Sequence, residues 1–321
     1  MRNLRKSIGA IKMQKIVTLG GGTGHFQLLR GLKNYDCNIT AIVNVSDDGG
    51  SSGKLRDEYG ILPPGDLRQC IVALADNEHD NILRKLFNYR FKNGEGHNFG
   101  NLIITALTDI CGNTQEAIKE TCKLMRVRGR VLPVSIDNAI LHAETLDGKI
   151  LNGQTNISYP AIGTKIKKVF YKPDVFVYKE VSEAIKNADK IVICPGDLYG
   201  SILPVFITKG FCEALKQSKA KKIYVCNLFT KEGNENFRAS DFLREIENYA
   251  GLKLDHVILN TKKPSEEVMK KYLSENSKFV EDDLPQDNRI IRGDFVAEYP
   301  SESKTIFRHV PEKIARVIVG L

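Results

Sequence analysis

The most constraining feature of the sequence is a run of glycines that directly follows a short apolar segment near the N-terminus. Residues 15–19 (KIVTL) predict a buried strand, and residues 20–24 (GGGTG) follow it without a spacer. Apolar side chains then recur at helical spacing over residues 25–33, and residues 39–45 form a second β-branched run. These segments predict a βαβ unit with parallel strands and a right-handed crossover.

The remainder of the chain continues the alternation of short apolar runs and helical segments. Further strands are predicted at residues 131–134, 169–171, 190–194, 222–226 and 256–259. This alternation predicts an α/β fold with a doubly wound, mostly parallel sheet. Residues 139–145 and 149–152 flank Asp147-Gly148, which predicts an added β-hairpin. We expect residues 1–14 to be an N-terminal extension and residues 15–321 to form a single α/β domain.

Composition and charge exclude several classes of protein. No apolar run approaches the roughly 20 residues that a membrane-spanning helix requires, and no signal peptide is evident, so we expect a cytoplasmic protein without membrane insertion. The seven cysteines are scattered and form no CxxC pair, which argues against a disulfide framework and a structural zinc site. The net charge of +8 fits an anionic ligand or simply a solvated surface. Because the basic residues are dispersed, we expect no nucleic acid partner.

The glycine loop is a candidate phosphate site. Small residues let the backbone approach a phosphate, and the N–H groups and dipole of the following helix favour negative charge. The loop is not a dinucleotide fingerprint, because Gln27 stands where its third glycine would fall, and it lacks the Gly-Lys-Ser/Thr of a Walker loop. The alternative is a tight strand-to-helix turn. The predicted ligand contacts are Gly21, Gly22, Thr23 and Gly24.

A second candidate loop, residues 47–53 (DDGGSSG), follows the second predicted strand and therefore lies at the same edge of the sheet. Carboxylates there can bind ribose hydroxyls or Mg²⁺, although Asp, Gly and Ser also form ordinary turns. Asp66 precedes the predicted helix over residues 67–75, where it either caps that helix or shares a divalent cation with Asp48. The candidates in this loop are Asp47, Asp48, Ser51 and Ser52.

Three later segments add candidates. Residues 96–101 open a helix with a polar loop, in which His97 is either a ligand contact, a general acid/base or a structural histidine. Residues 194–201 follow a buried strand and predict a second anion or sugar site, and Asn227 follows the next strand. The candidates from these segments are His97, Asn98, Asn101, Pro195, Gly196, Leu198 and Asn227.

Taken in order, the motifs resemble the YvcK-type gluconeogenesis factors, relatives of the CofD-type 2-phospho-L-lactate transferases. The most specific stretch is residues 41–53 (AIVNVSDDGGSSG), and it continues through residues 55–58 (LRDE) and 60–68 (GILPPGDLR). Shorter segments agree as well: residues 21–24, 89–91, 100–102, 128–133 and 308–309.

The resemblance implies a Rossmann-like fold and a pocket for a nucleotide sugar such as UDP-N-acetylglucosamine. It implies a cytoplasmic regulatory role that links carbon metabolism and gluconeogenic growth to cell-wall synthesis and cell shape, with no required cofactor. The diphosphate would rest on the glycine-loop amides, Asp47, Asp48 and Ser51 would line the nucleoside or metal side, and Arg308 would be a further contact. Protein partners are not specified, and a homodimer is compatible with the sequence.

Two alternatives stay open at this point. The chain is either such a regulator or a Mg²⁺-dependent transferase of the 2-phospho-L-lactate transferase type, in which Asp48 and Asp66 would hold the metal and a nucleotide diphosphate would leave. A NAD-dependent dehydrogenase is a weaker option, because the dinucleotide fingerprint is incomplete. Asp197 stands where the family pattern has serine, and its negative charge opposes phosphate binding by that loop unless a cation intervenes.

Overall fold

The computed structural model describes residues 13–76, 81–92, 96–300 and 305–321. Within those ranges the strands are β1 Gln14–Gly20, β2 Cys37–Val43, β3 Arg130–Pro133, β4 Ile140–Thr145, β5 Ile150–Asn152, β6 Ile166–Lys172, β7 Lys190–Ile193, β8 Lys221–Val225, β9 His256–Asn260, β10 Ile290–Gly293, β11 Val296–Pro300 and β12 Thr305–His309.

The helices alternate with these strands along most of the chain. They are α1 Gly22–Leu32, α2 Gly50–Tyr59, α3 Pro64–Leu74, α4 Asn81–Asn88, α5 Phe99–Cys111, α6 Thr114–Leu124, α7 Gln154–Ser158, α8 Lys179–Lys186, a π-helix Leu198–Ile202, α9 Leu203–Phe206, α10 Phe211–Gln217, α11 Ala239–Ala250, α12 Glu266–Ser274 and α13 Pro311–Gly320.

The centre of the fold is a parallel sheet with helices on both faces. Its strand order among the described residues is β10-β9-β8-β7-β1-β2-β3. Successive side chains of β1 enter opposite layers of the core: Ile16 packs with α1, α3 and α13, whereas Val17 and Leu19 pack with the helices of the other face. Because both faces are covered, β1 and β2 read as continuous apolar runs instead of alternating ones.

Two antiparallel sheets flank the central one. The first has the order β5-β4-β6, and the hairpin between β4 and β5 turns at Gly148 with a φ of +82°. The second pairs β11 with β12. The predicted α/β fold with a mostly parallel sheet and an added β-hairpin is therefore confirmed.

One strand prediction was wrong in its placement. The run at residues 169–171 is part of β6, which pairs with β4 in the first antiparallel sheet instead of joining the parallel sheet. Buried and exposed side chains mix along β6, as expected for a strand that is covered on one face. The place in the parallel sheet is taken by β10, a short strand for which no prediction was made.

The predicted N-terminal extension, the predicted single domain and the expected absence of a membrane-spanning helix remain to be compared with the structure. Residues 1–12 of the predicted extension lie outside the described residues, and β1 begins at Gln14. The single domain over residues 15–321 stays a prediction. Across the described ranges, no helix combines the length and apolarity that crossing a membrane requires.

The strand order determines where a ligand would bind. After β1 the chain moves through β2 and β3 toward one edge of the sheet, and after β7 it moves through β8, β9 and β10 toward the other. The reversal falls between the neighbouring strands β1 and β7. In parallel α/β sheets, ligands bind at this switch point, in the crevice beyond the carboxyl ends of the strands.

Candidate functional site

A cavity of about 510 Å³ opens at this switch point. Its volume lies within the range of about 300 to 1,000 Å³ that is typical of small-molecule sites. The loops after β1, β2, β7 and β8 contribute to its walls, together with α3 and α7. The lining residues are Gly21, Gly22, Thr23, Gly24, Asn44, Asp47, Gly49, Asp66, Gln69, Gln154, Thr155, Ser158, Tyr159, Gly196, Asp197, Leu198, Ser201, Asn227, Phe229, Lys231 and Asn234.

The glycine loop forms one wall and begins α1. Gly22 has a φ of +66°, and a side chain there would meet nothing within 4 Å, so the backbone is exposed to the cavity. A Cβ on Gly24 would lie 1.8 Å from the Pro195 carbonyl oxygen. Only glycine therefore lets the loops after β1 and β7 approach this closely. The first N–H groups of α1 have no partner within the helix, which favours an anion at this wall.

Asp66 lies in the first turn of α3 and faces the glycine loop. Its Oδ1 accepts a hydrogen bond of 3.0 Å from the Gly22 N–H, and the side chain is buried. Pro63 occupies the N-cap position of α3, so Asp66 does not cap that helix. Burial, followed by the negative charge of Asp47, raises the pKa of Asp66 to about 7.

Asp47 is the carboxylate whose negative charge helps to raise the pKa of Asp66. Burial raises the pKa of Asp47, and the charge of Asp48 acts in the same direction, whereas hydrogen bonds from Ser52 and the Gly49 N–H oppose the rise. Asp47 and Asp66 thus form a desolvated pair on the cavity wall. Such a pair favours the uptake of a proton or a cation.

Asp48 is directed to a different partner. Its Oδ1 accepts hydrogen bonds from the Thr155 N–H at 2.8 Å and from Thr155 Oγ1 at 2.6 Å. Asp48 does not line the cavity, whereas Thr155 does. The carboxylate therefore fixes α7, and with it the antiparallel sheet, against the loop that follows β2.

Ser51, His97, Asn98 and Asn101 form a hydrogen-bonded network behind the cavity. Ser51 Oγ lies 3.1 Å from His97 Nδ1 and accepts hydrogen bonds from the Asn98 N–H at 3.3 Å and Asn101 Nδ2 at 3.2 Å. Asn98 caps α5 by accepting a bond from the Asn101 N–H. None of these residues lines the cavity, and their contacts join α2 to α5. Ser52, which hydrogen-bonds to Asp47, does not line the cavity either.

The loop after β7 supplies the opposite wall. Gly196 and Leu198 line the cavity, and Asn227 Nδ2 donates a hydrogen bond of 2.6 Å to the Gly196 carbonyl oxygen. That bond joins the loops after β7 and β8, and Asn227 Oδ1 accepts a further bond of 2.9 Å from the hydroxyl of Tyr224 on β8, which fixes the amide.

Pro195 and Arg308 lie in an adjoining cavity of about 200 Å³. This second cavity shares Thr23, Gly24, Gly196 and Asn227 with the first. The structure therefore brings Arg308, on β12, to the far side of the glycine loop.

Several lining residues were not identified from the sequence. Gln154, Thr155, Ser158 and Tyr159 come from α7 and its end, within the hairpin elaboration, where no local pattern indicated a ligand site. Lys231 follows the end of β8, and its Nζ lies 5.1 Å from the centre of the Tyr159 ring. The position of Lys231, a basic residue shortly after a parallel strand, is the sequence feature that could have indicated a ligand contact.

Asn44 was also missed, although it lies within the stretch of residues 41–53 that carries the family resemblance. Its Nδ2 donates hydrogen bonds to Ser46 Oγ at 2.6 Å and to the Gly200 carbonyl oxygen at 3.1 Å. These bonds tie the end of β2 to the π-helix that follows β7. Among the described residues, no group of three or more His, Cys, Asp or Glu side chains is arranged to hold a metal ion.

The chain matches a known protein family in both sequence and structure. The family model described as 2-phospho-L-lactate transferase CofD matches residues 16–296. A protein of Thermotoga maritima, described as "Putative gluconeogenesis factor", is 48% identical over 311 residues, which cover 95% of this chain and 98% of that protein. The gluconeogenesis factor of Bacillus subtilis is 38% identical, with coverage of 96% and 98%.

A crystal structure of a UPF0052-family protein from Bacillus halodurans matches with a TM-score of 0.88 and 41% identity, and the match covers 97% of this chain and 100% of that one. The family model spans most of the chain, and the relatives are similar over nearly their whole length. The chain therefore belongs to the CofD family, in which its similar relatives are the gluconeogenesis factors of the YvcK type.

Proposed function

We propose that this protein binds a nucleotide sugar of the UDP-N-acetylglucosamine class in the 510 Å³ cavity and acts as a regulator. In this role it would link carbon metabolism and gluconeogenic growth to cell-wall synthesis and cell shape. The observation that carries the proposal is the convergence of the glycine loop and the loop after β7 on one cavity at the switch point of the sheet.

The chemistry of the walls supports a ligand that is part phosphate and part polar ring. The Lys231 ammonium favours phosphate oxygens, and so do the N–H groups at the start of α1, of which that of Gly22 already donates to Asp66. Tyr159 and Phe229 offer aromatic surface to a base or sugar ring. The side-chain amides of Asn44, Gln69, Gln154 and Asn234 can donate to or accept from hydroxyl and carbonyl groups.

The placement of reactive side chains favours regulation over catalysis. His97, the candidate general acid/base, is hydrogen-bonded to Ser51 and does not line the cavity. Burial raises the pKa of the Cys194 thiol well above its usual range, so this cysteine stays protonated and is a poor nucleophile.

One observation favours a second candidate, the Mg²⁺-dependent transferase. The carboxylates of Asp47 and Asp66 lie on the wall that also carries the glycine loop, whereas Asp48, the predicted partner of Asp66, does not line the cavity. Magnesium is commonly held by one or two carboxylates together with waters and substrate phosphates, so this pair fits the ion. Bound there, Mg²⁺ would neutralise charge on a leaving diphosphate.

Calorimetric titration with UDP-N-acetylglucosamine, with and without Mg²⁺, tests the proposal, and GDP and NAD serve as comparison ligands. The informative variant is Gly22→Val, which places a side chain in the open space beside the phosphate wall. Its matched control is Gly148→Val, because Gly148 also has a positive φ and open surroundings but lies in the hairpin turn.

Both variants carry the same kind of backbone strain. The proposal requires that Gly22→Val abolishes binding of the nucleotide sugar and that Gly148→Val retains it. Binding of GDP that depends on Mg²⁺, without binding of the nucleotide sugar, would favour the transferase instead.

A further inference from the structure

Asp197 lines the cavity and has a carboxylate oxygen without a hydrogen-bond donor among the described residues. Asp197 precedes the π-helix, and its Oδ1 accepts a hydrogen bond of 3.2 Å from the Gly200 N–H. Its Oδ2 is buried and has no hydrogen-bond partner in the described part of the chain. Only 10% of the side chain is exposed, and the residue lines the cavity.

The nearest cation does not satisfy this oxygen. Lys231 Nζ lies 3.9 Å from Asp197 Oδ2, which is beyond hydrogen-bonding distance. The same ammonium lies over the Tyr159 ring, and the lysine side chain is 41% exposed. Leaving a buried acceptor without a donor is unfavourable, so a ligand that supplies a donor gains affinity at this point.

Other polar groups surround the same spot. A Cβ built on Gly200 would lie 2.9 Å from Asp197 Oδ2, 2.9 Å from Gln154 Nε2 and 2.3 Å from Ser158 Oγ. Gln154 Nε2 donates one hydrogen bond to Ser158 Oγ at 2.8 Å, and neither group is bonded to Asp197 Oδ2. Carboxylate, hydroxyl and amide groups together can accept hydrogen bonds from sugar hydroxyls and donate to them.

The two walls offer different groups to a ligand. The glycine loop carries the N–H groups at the start of α1, of which that of Gly22 donates to Asp66, whereas the opposite wall carries the Asp197 carboxylate. The proposed function assigns the phosphates to Gly21–Gly24, which leaves the wall at Asp197 for a part of the ligand that donates a hydrogen bond.

We propose that Asp197 is a specificity-determining residue whose carboxylate, turned toward the cavity, accepts a hydrogen bond from a hydroxyl of the ligand's sugar. The cavity would then prefer a nucleoside diphosphate that carries a sugar over the bare nucleoside diphosphate. This inference rests on the proposed function and assigns the sugar side of the same site.

The test compares UDP-N-acetylglucosamine with UDP on the full-length protein and on three variants. Asp197→Ser removes Oδ2 and keeps a hydroxyl that can cap the π-helix. Asp197→Asn keeps the capping oxygen and the shape but removes the charge. Asp174→Ser is the matched control, because Asp174 is an exposed aspartate outside the cavity that pairs with Lys209.

Hydrogen bonds to charged groups contribute about 1.5 to 3 kcal/mol, which corresponds to an affinity change of about tenfold to hundredfold. We expect Asp197→Ser to weaken binding of the UDP-sugar by about that factor and to leave UDP binding unchanged or tighter. Asp197→Asn should have a smaller effect in the same direction, and Asp174→Ser should change neither ligand.

Equal losses for UDP and the UDP-sugar in the Asp197 variants, or no loss for either, would overturn the inference while the proposed function stands. Absence of UDP-sugar binding by the unmodified protein would overturn the proposed function, and this inference with it.

Discussion

Asp66 gives the sharpest prediction about the pH dependence of stability. Its pKa is about 7 in the fold, against an ordinary value of 3.8. Between these values the folded protein keeps a proton that the unfolded chain has released, so the free energy of unfolding falls as the pH rises from about 4 to about 7. At about 1.4 kcal/mol for each pH unit, the gap of about three units corresponds to a loss on the order of 4 kcal/mol.

Asp66→Asn removes the charge while its Oδ1 can still accept the bond from the Gly22 N–H. The variant should therefore be more stable than the unmodified protein at pH 8, by an amount that approaches this loss, and the advantage should shrink toward pH 4. Because Asp47 titrates with Asp66, the curve reports on the pair rather than on one residue.

The assay is urea unfolding of both proteins at intervals from pH 4 to pH 8, with the free energy extrapolated to water. Asp109→Asn, which changes an exposed aspartate on α5, serves as the control. A stability difference between Asp66→Asn and the unmodified protein that is the same at pH 4.5 and pH 8 would refute the reasoning.

Three further predictions follow from the site. Thr155→Val removes the exposed hydroxyl that donates to Asp48 and leaves the bond from the Thr155 N–H, so we expect the free energy of unfolding to fall by about 0.5 to 1.5 kcal/mol, and a urea midpoint that does not move would contradict this. Gly24→Ala forces the loops after β1 and β7 apart, since its Cβ would lie 1.8 Å from the Pro195 oxygen, and it should lower Tm and UDP-sugar affinity together; retention of both would show that the loops are not held in this contact. Mg²⁺ should raise Tm at pH 8 if the carboxylate pair binds it, and Asp66→Asn should remove the increase; an equal increase in the variant would place the ion elsewhere.

The elements that the sequence predicted well are those with strong local signals. The β-branched runs that became β1 and β2 each end at a turn-forming loop, and the two runs pair in parallel as expected. The Asp-Gly pair at 147–148 forms the hairpin turn for the same reason, because its backbone conformation is encoded by adjacent residues.

Sheet membership could not be predicted from local pattern. The apolar run in β6 correctly indicated a strand, but its pairing with β4 depends on residues distant in sequence. The short strand β10 has a weak local signal and forms beside β9 through tertiary packing.

The same distinction applies to the site. Position directly after a parallel strand was enough to predict that the glycine loop, Gly196 and Asn227 lie at the same edge of the sheet, and all of them line one cavity. Sequence position could not indicate that the charge of Asp47 would raise the pKa of Asp66, or that Asp48 would accept hydrogen bonds from Thr155. Side-chain direction within a loop and the approach of α7 from a separate sheet are consequences of packing.

The most direct test of nucleotide-sugar binding is a calorimetric titration of the unmodified protein with UDP-N-acetylglucosamine in the absence of Mg²⁺, repeated on Gly22→Val and Gly148→Val. We expect saturable binding at one site per chain that Gly22→Val abolishes and Gly148→Val retains. Absence of binding to the unmodified protein, or binding that survives in Gly22→Val, would contradict the placement of a nucleotide sugar at the glycine loop.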